Sequence, residues 1–253
     1  MRTIRRLVWC LGIFGLLAGP AWAGTEPIQF GGWGGISPGA RYFAVADMND
    51  YFESVNVDSL PPVWPVIGAQ ANGLLFEWLV VGGRGAWMKQ SLNGGLSDVT
   101  LTVASGEMDV GYAVLNGRYG LAYPYVGLGG GASTLRFEQD GYAVRAFTEV
   151  DRRAAATASE PQDDLVYRKD VMIGSLGFTY LWPVRFVESE THGGFGAFLP
   201  GVTLGAQAQL LETGWRKDGK LARGGPDWSL TGAFLQLEIN FGGGTVKRPA
   251  PEH

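Results

Sequence analysis

The sequence predicts an all-β protein, an eight-stranded antiparallel up-and-down transmembrane β-barrel with one short helix in its first long loop. Three observations predict it. Several stretches alternate apolar and polar residues at period two, as strand side chains do on the two faces of a sheet. Glycine is frequent, 40 of 253 residues, while only 17% of residues are charged. The connections between the alternating stretches are long at one end of the strands and mostly short at the other, an asymmetry of outer-membrane barrels.

The chain opens with Arg2, Arg5 and Arg6, an apolar run from Leu7 to Leu17, and the small-x-small triplet Ala21-Trp22-Ala23. This is the order of a secretory signal peptide over residues 1–23, and the run is short for a spanning helix of ~20 residues. Cys10 lies too early in this segment for a lipoprotein cysteine. Without the three arginines the formal charge moves from −4 to −7, which argues against a nucleic-acid partner. The remaining chain has no Cys, hence no disulfide framework, and no later apolar run long enough for a helical span. One barrel domain, residues 24–243, and a polar, disordered tail, 244–253, are expected.

The first strand is Ile28 to Ile36, with a bare centre at Gly31-Gly32-Trp33-Gly34-Gly35. From Arg41 to Val57 the period changes: Tyr42, Val45, Ala46, Phe52 and Val55 recur near helical spacing, and Leu60-Pro61-Pro62 ends the helix. This helix is expected to cap one mouth of the barrel. Strands two and three, Val66 to Phe76 and Leu79 to Ser91, meet at a turn near Glu77-Trp78; Asn93-Gly94-Gly95 is a stronger turn signal. Strand four begins at Asp98 and reaches about Leu115. Its apolar residues are odd-numbered at Val99, Leu101 and Val103 but even-numbered at Met108, Val110, Tyr112 and Val114, so a β-bulge is expected near Ser105-Gly106.

Asn116-Gly117 turns the chain into strand five, Tyr119 to Glu138, through Gly129-Gly130-Gly131. A polar loop follows to about Asp164. Strand six, Leu165 to Trp182, puts Met172, Leu176, Phe178, Tyr180 and Trp182 on one face and Ile173, Ser175, Gly177 and Thr179 on the other. Strand seven alternates Val202, Leu204, Ala206, Ala208 and Leu210 with Thr203, Gly205, Gln207 and Gln209. After a charged loop, strand eight closes the set: Leu235, Leu237, Ile239 and Phe241 oppose Gln236, Glu238 and Asn240. Up-and-down order then places both termini on the short-turn side, the periplasm.

Alternation alone fits either a membrane barrel, apolar outside, or a secreted soluble barrel carrying a hydrophobic ligand, apolar inside. The polar faces of strands six and seven are Ser, Thr, Gln and Gly, a poor solvent surface. Several strands exceed the usual 5–6 residues. Tyr180, Trp182, Trp78, Trp228 and Phe241 stand at strand ends like an aromatic girdle. These favour the membrane, with Leu176, Phe178, Leu204, Ala206, Leu210, Leu235, Leu237 and Ile239 facing lipid.

Over residues 28–241 the pattern resembles the small eight-stranded bacterial outer-membrane barrels of the OmpA/OmpX type. The resemblance implies a place in the outer membrane and two partners, its lipid (lipopolysaccharide included) and the barrel-assembly machinery; no specific protein partner follows from it. The family ends on an aromatic residue with Gly five positions before; here Phe241 is the aromatic, Gln236 replaces the Gly, and twelve residues follow. Gly31-Gly32-Trp33 also matches the Gly-x-Trp of the first lipocalin strand.

Some barrels of this size modify lipid A with Ser and His near the outer rim. Here His253 lies in the tail, and His192, in Thr191-His192-Gly193-Gly194, is a lone His in a Gly-containing connection on the side expected to be periplasmic, where a lipid A site is not expected. No metal-ligand spacing exists, no cofactor is expected, and the Gly runs at 82–85 and 129–131 lack the context of a phosphate loop; they read as bends or as room for bulky lumen groups. A structural or surface-interaction role without catalysis is therefore expected. The candidate lumen network is Arg84, Glu107, Asp109, Arg136, Glu138, Arg168, Gln207, Gln209, Glu238 and Asn240, charges that must pair inside a barrel just wide enough for its side chains.

Overall fold

In the computed structural model, which describes residues 27–94, 97–117, 119–139, 165–188, 194–222 and 225–246, eight long strands close into one antiparallel ring. They are β1 (Ile28–Phe43), β2 (Val63–Leu75), β3 (Leu79–Leu92), β4 (Ser97–Tyr112), β6 (Gly120–Gln139), β7 (Leu165–Leu181), β9 (Gly194–Glu212) and β12 (Gly232–Val246). Each pairs with the next, and β1 pairs with β12 from Phe30↔Thr245 to Phe43↔Gly232, which removes both sheet edges. The short β5 (Leu115–Gly117) continues β4 along the start of β6. A further short strand, β8 (Val184–Glu188), doubles back on β9, and the hairpin of β10 (Arg216–Lys217) with β11 (Lys220–Leu221) extends the sheet beside β7. The first 26 residues, His192 and the last seven residues, His253 among them, lie outside the described residues.

The strand parities decide the faces. On β12, Leu235, Leu237 and Phe241 are exposed while Gln236, Glu238 and Asn240 are buried. The same sense holds on β9, where Leu204 faces out and Thr203 in, and on β7, where Leu176 and Phe178 stand opposite buried Ser175 and Thr179. The barrel is polar inside and apolar outside through its middle. Strand β12 also runs to Val246, beyond Phe241 and into the stretch expected to be tail. Gly242 makes this possible, since a Cβ there would meet the backbone of Gly32 and Trp33.

The parity switch in β4 is not a bulge. Its registers with β3 and β6 run without a break from Leu92↔Val99 to Leu79↔Tyr112 and from Asp98↔Glu138 to Gly111↔Tyr125. Odd residues point inward throughout. What changes is the environment: Val99, Leu101 and Val103 are buried in an apolar mouth, whereas Glu107 and Asp109 sit in a polar mid-lumen behind exposed Met108, Val110 and Tyr112. A bulge does occur elsewhere, between Met172 and Ile173 of β7, where β9 contributes an extra residue at Leu210.

The helix, α1, is shorter than expected, Ala46–Ser54. Arg41 and Tyr42 belong to β1 instead, with Arg41 buried in the lumen and Tyr42 exposed on the outer face. Met48 and Phe52 carry the helix's buried face into a cluster with Phe43, Trp64, Leu101, Trp228 and others at the mouth bearing the long connections. The predicted capping position is therefore seen, but an apolar plug separates the helix from the polar lumen. A second cluster, including Ile28, Trp33, Leu74, Leu121 and Tyr123, fills the opposite end. Asn116 holds that end together: its side chain accepts from the Ile28 N–H and donates to the carbonyls of Ile28 and Glu77.

Candidate functional site

Between the two apolar plugs lies a layer of buried polar side chains. Arg84 of β3 is its centre. Its Nε and Nη2 donate to Asp109 Oδ2 at 3.0 and 2.8 Å, its Nε lies 3.4 Å from Glu107 Oε1, and its Nη1 donates to the Tyr125 hydroxyl at 2.6 Å. The guanidinium also lies over the Tyr125 ring, 3.8 Å from the centroid. The register explains the grouping: Arg84 is directly opposite Glu107 on the adjacent strand, and Asp109 is the next inward residue of β4. One cation between two carboxylates offsets the cost of desolvating all three.

Across the lumen, Glu238 of β12 is held by neutral donors. Thr203 Oγ1 donates to it at 2.6 Å, Gln70 Nε2 donates to its other oxygen, and Gln70 also reaches Asn240 Oδ1 at 3.1 Å. Thr179 and Thr203 share a hydrogen bond of 2.8 Å. Nearer the capped mouth, Arg41 Nη1 donates to Gln207 Oε1 at 2.8 Å, and Gln207 Nε2 donates to the Leu230 carbonyl at 2.9 Å. Two of the glycine runs make room for these groups. A Cβ at Gly82 would collide with the Asn72 carboxamide, and one at Gly129 would collide with the backbone of Gly106 and Glu107.

Of the ten predicted lumen residues, the structure brings Arg84, Glu107, Asp109, Gln207, Glu238 and Asn240 into this layer. Arg136, Glu138 and Arg168 are excluded. All three occupy even positions on β6 and β7, the outward face, and their side chains are half or more exposed. The cause is the inversion already seen in β4: towards the capped mouth the inside is apolar, so charge moves outside. Gln209 stays at the rim, where it accepts from the Leu230 N–H and donates to Glu212. Trp228 is not a girdle residue. It is buried in the mouth, stacked on Trp64 at 5.6 Å, and donates to Ser133 Oγ, because the connection before β12 folds back over the opening.

Sequence reading missed Arg41, Gln70, Asn72 and Lys169, all buried. Arg41 was hidden by its assignment to the helix. Gln70 and Asn72 could have been found, since they alternate with Ala69 and Ala71 on β2. Lys169 is buried beside the plug, donating to the Trp228 carbonyl at 2.7 Å and pairing with Glu212 at 2.6 Å.

The outer surface is as informative as the lumen. Among the described residues, no Asp, Glu, Lys or Arg points outward between the short-turn rim and a line through Trp87, Ala104, Ala132 and Met172. Aromatic side chains crowd the short-turn rim, where Phe30, Trp78, Tyr112, Tyr119, Trp182 and Phe241 are exposed.

No protein-family model matches the chain, and no curated protein matches its sequence. Among solved structures it is similar to Ail, the attachment invasion locus protein of Yersinia pestis, with 10% identity over 87% of this chain and 99% of that one, at a TM-score of 0.42. It is also similar to the outer membrane protein OprG of Pseudomonas aeruginosa, with 12% identity over 89% of this chain and 99% of that one, at a TM-score of 0.29.

Proposed function

We infer that this chain is a bacterial outer-membrane barrel with a structural or surface-interaction role and no catalytic one. Its termini lie on the periplasmic side, and α1 and the long connections face outward. One observation carries the reading: the uncharged outer belt around a charged interior. A soluble carrier needs the reverse. Along β7 and the residue that follows it the belt runs from Met172 to Trp182, which at ~3.3 Å per residue and a tilt of ~40° covers about 25 Å, the height of a barrel's apolar band. Outer-membrane lipid and the assembly machinery that inserts such barrels are the partners this implies.

The test is a pair of substitutions on neighbouring residues of β12. Leu237→Arg puts a charge on the belt and is expected to cost ~2–4 kcal/mol of folding into lipid bilayers. Gln236→Arg puts it into the lumen beside Ser37. If the Gln236 variant folds worse into vesicles and the Leu237 variant folds normally in water, the barrel is a soluble carrier. A non-catalytic role also predicts that His192→Ala leaves any acyl-hydrolase activity of the purified barrel unchanged; loss of such an activity would restore the lipid A-modifying enzyme as the better reading.

A further inference from the structure

Above the belt, the seam between β7 and the β9–β10 segment carries an arrangement that packing does not explain. Arg168 and Arg216 are direct cross-strand partners. Arg168 points outward, so Arg216 does too, and two like charges directly opposite on a ladder destabilise it. Arg136 joins them from β6, diagonal to Arg168 through the Thr134↔Arg168 and Arg136↔Val166 pairs. Asp170 takes part of the Arg168 charge at 2.8 Å, and Glu138 lies 3.9 Å from Arg136. The Arg216 side chain makes no hydrogen bond or ion pair with the described residues.

The same seam is apolar directly below. Leu211 pairs with Met172, and the bulge in β9 adds Leu210 beside it, so a strand that would present one leucine to the outside presents two. Both leucines are more than half exposed. From Met172 to Arg168 is four residues, ~13 Å along the strand. Leu221, exposed, stands beside Arg216. A guanidinium cluster one headgroup's height above a leucine pair matches an amphiphile with phosphate above and acyl chains below.

The geometry points to a lipid-binding site on this seam, in which Arg136, Arg168 and Arg216 hold the phosphates of a diphosphorylated glycolipid and Leu210, Leu211 and Met172 receive its acyl chains. Three guanidiniums on adjacent strands, ~4.8 Å apart per strand, span more than one phosphate needs, which favours a headgroup with two over a single-phosphate phospholipid. Bidentate guanidinium–phosphate pairing supplies the affinity, and arginine stems can lie along the belt while their heads reach the headgroup. The assignment rests on the membrane reading above.

The experiment uses the full chain folded in detergent micelles, titrated with diphosphoryl lipid A, with the same lipid dephosphorylated, and with phosphatidylglycerol, and read by native mass spectrometry. The variants are Arg168→Gln/Arg216→Gln and, as a control two strands away, Lys89→Gln; circular dichroism verifies folding of each. Wild type and the Lys89 variant are expected to prefer diphosphoryl lipid A, and the double variant to lose about tenfold in its affinity, the loss of one to two charge-assisted contacts. Equal binding of the phosphorylated and dephosphorylated lipids, undiminished binding by the double variant, or an equal loss in the Lys89 variant would overturn the site. Equal binding of phosphatidylglycerol would overturn the choice of headgroup. Each of these leaves the membrane reading intact, whereas a chain that folds in water without detergent would sink that reading itself.

Discussion

Arg84 shows how much a single residue decides in this barrel. Its guanidinium is the cation for both Asp109 and Glu107, and all three are buried. Arg84→Met is expected to destabilise the folded barrel by ~3–5 kcal/mol, because two carboxylates are left buried without a cation. Adding Glu107→Gln and Asp109→Asn to Arg84→Met should recover a large part of that loss, since the neutral amides need no counter-charge. Urea titration in lipid vesicles reads both. A single variant as stable as wild type, or a triple variant no better than the single, would show that the three side chains do not act as a unit. The grouping was legible from the sequence because Glu107 and Asp109 share one face of their strand, opposite Met108 and Val110, and Arg84 lies on the strand that must be its neighbour. The exclusion of Arg136, Glu138 and Arg168 was not, because parity says which residues share a face but not whether that face is inside.

At the scale of elements, the connection between β2 and β3 is Phe76-Glu77-Trp78, closed by the Leu75↔Leu79 pair and including the Glu77-Trp78 expected to turn. Phe76 and Glu77 have positive φ, 55° and 67°, and the Trp78 N–H donates to the Leu75 carbonyl at 3.3 Å. Positive φ at both central residues of a turn favours Asn-Gly. The chain holds it with other contacts: Phe76 packs edge-on against Phe30, and Asn116 donates to the Glu77 carbonyl. Glu77→Gly removes the steric cost of a left-handed β-carbon and is expected to stabilise the barrel by about 0.5–1 kcal/mol, measured as a higher urea midpoint; a lower midpoint would mean that the Glu77 conformation carries no strain. The helix shows the opposite limit of local reading. Its apolar spacing was visible, but Arg41 and Tyr42 were drawn into it, and their pairing with Phe234 and Ala233 of β12 and with Trp64 and Val63 of β2 assigns them to a strand.

For the whole molecule, the interior is three layers deep: an apolar plug under α1, the polar layer, and a second plug around Trp33 and Leu121. A lumen whose described residues fill it in this order is expected to hold no continuous water path, since eight strands leave little spare width. In planar bilayers the intact protein is expected to show no steady conductance. Deleting residues 46–54 removes Met48 and Phe52 from the upper plug but leaves the lower one, so conductance should stay low while hydrogen exchange in β2 and β3 near the mouth speeds up. Large steady conductance in the intact barrel would refute the layered interior, and unchanged exchange after the deletion would refute the helix as part of the plug.

Period-two alternation, glycine content and loop asymmetry were enough to determine the strand number, the order of the strands and most of their bounds, because each strand writes its two faces directly into the chain. The sequence alone also determined that Gln236, Glu238 and Asn240 share a face. Tertiary structure decided where along each strand the inside turns from polar to apolar. That depends on what packs into the mouth, here Trp64 near the start of β2, Trp228 and α1, and their meeting there is a long-range contact that no local period records. For the same reason the apparent bulge in β4 was an inversion of surroundings and not of geometry: the backbone kept its register, and the apolar residues followed the plug on one side and the belt on the other.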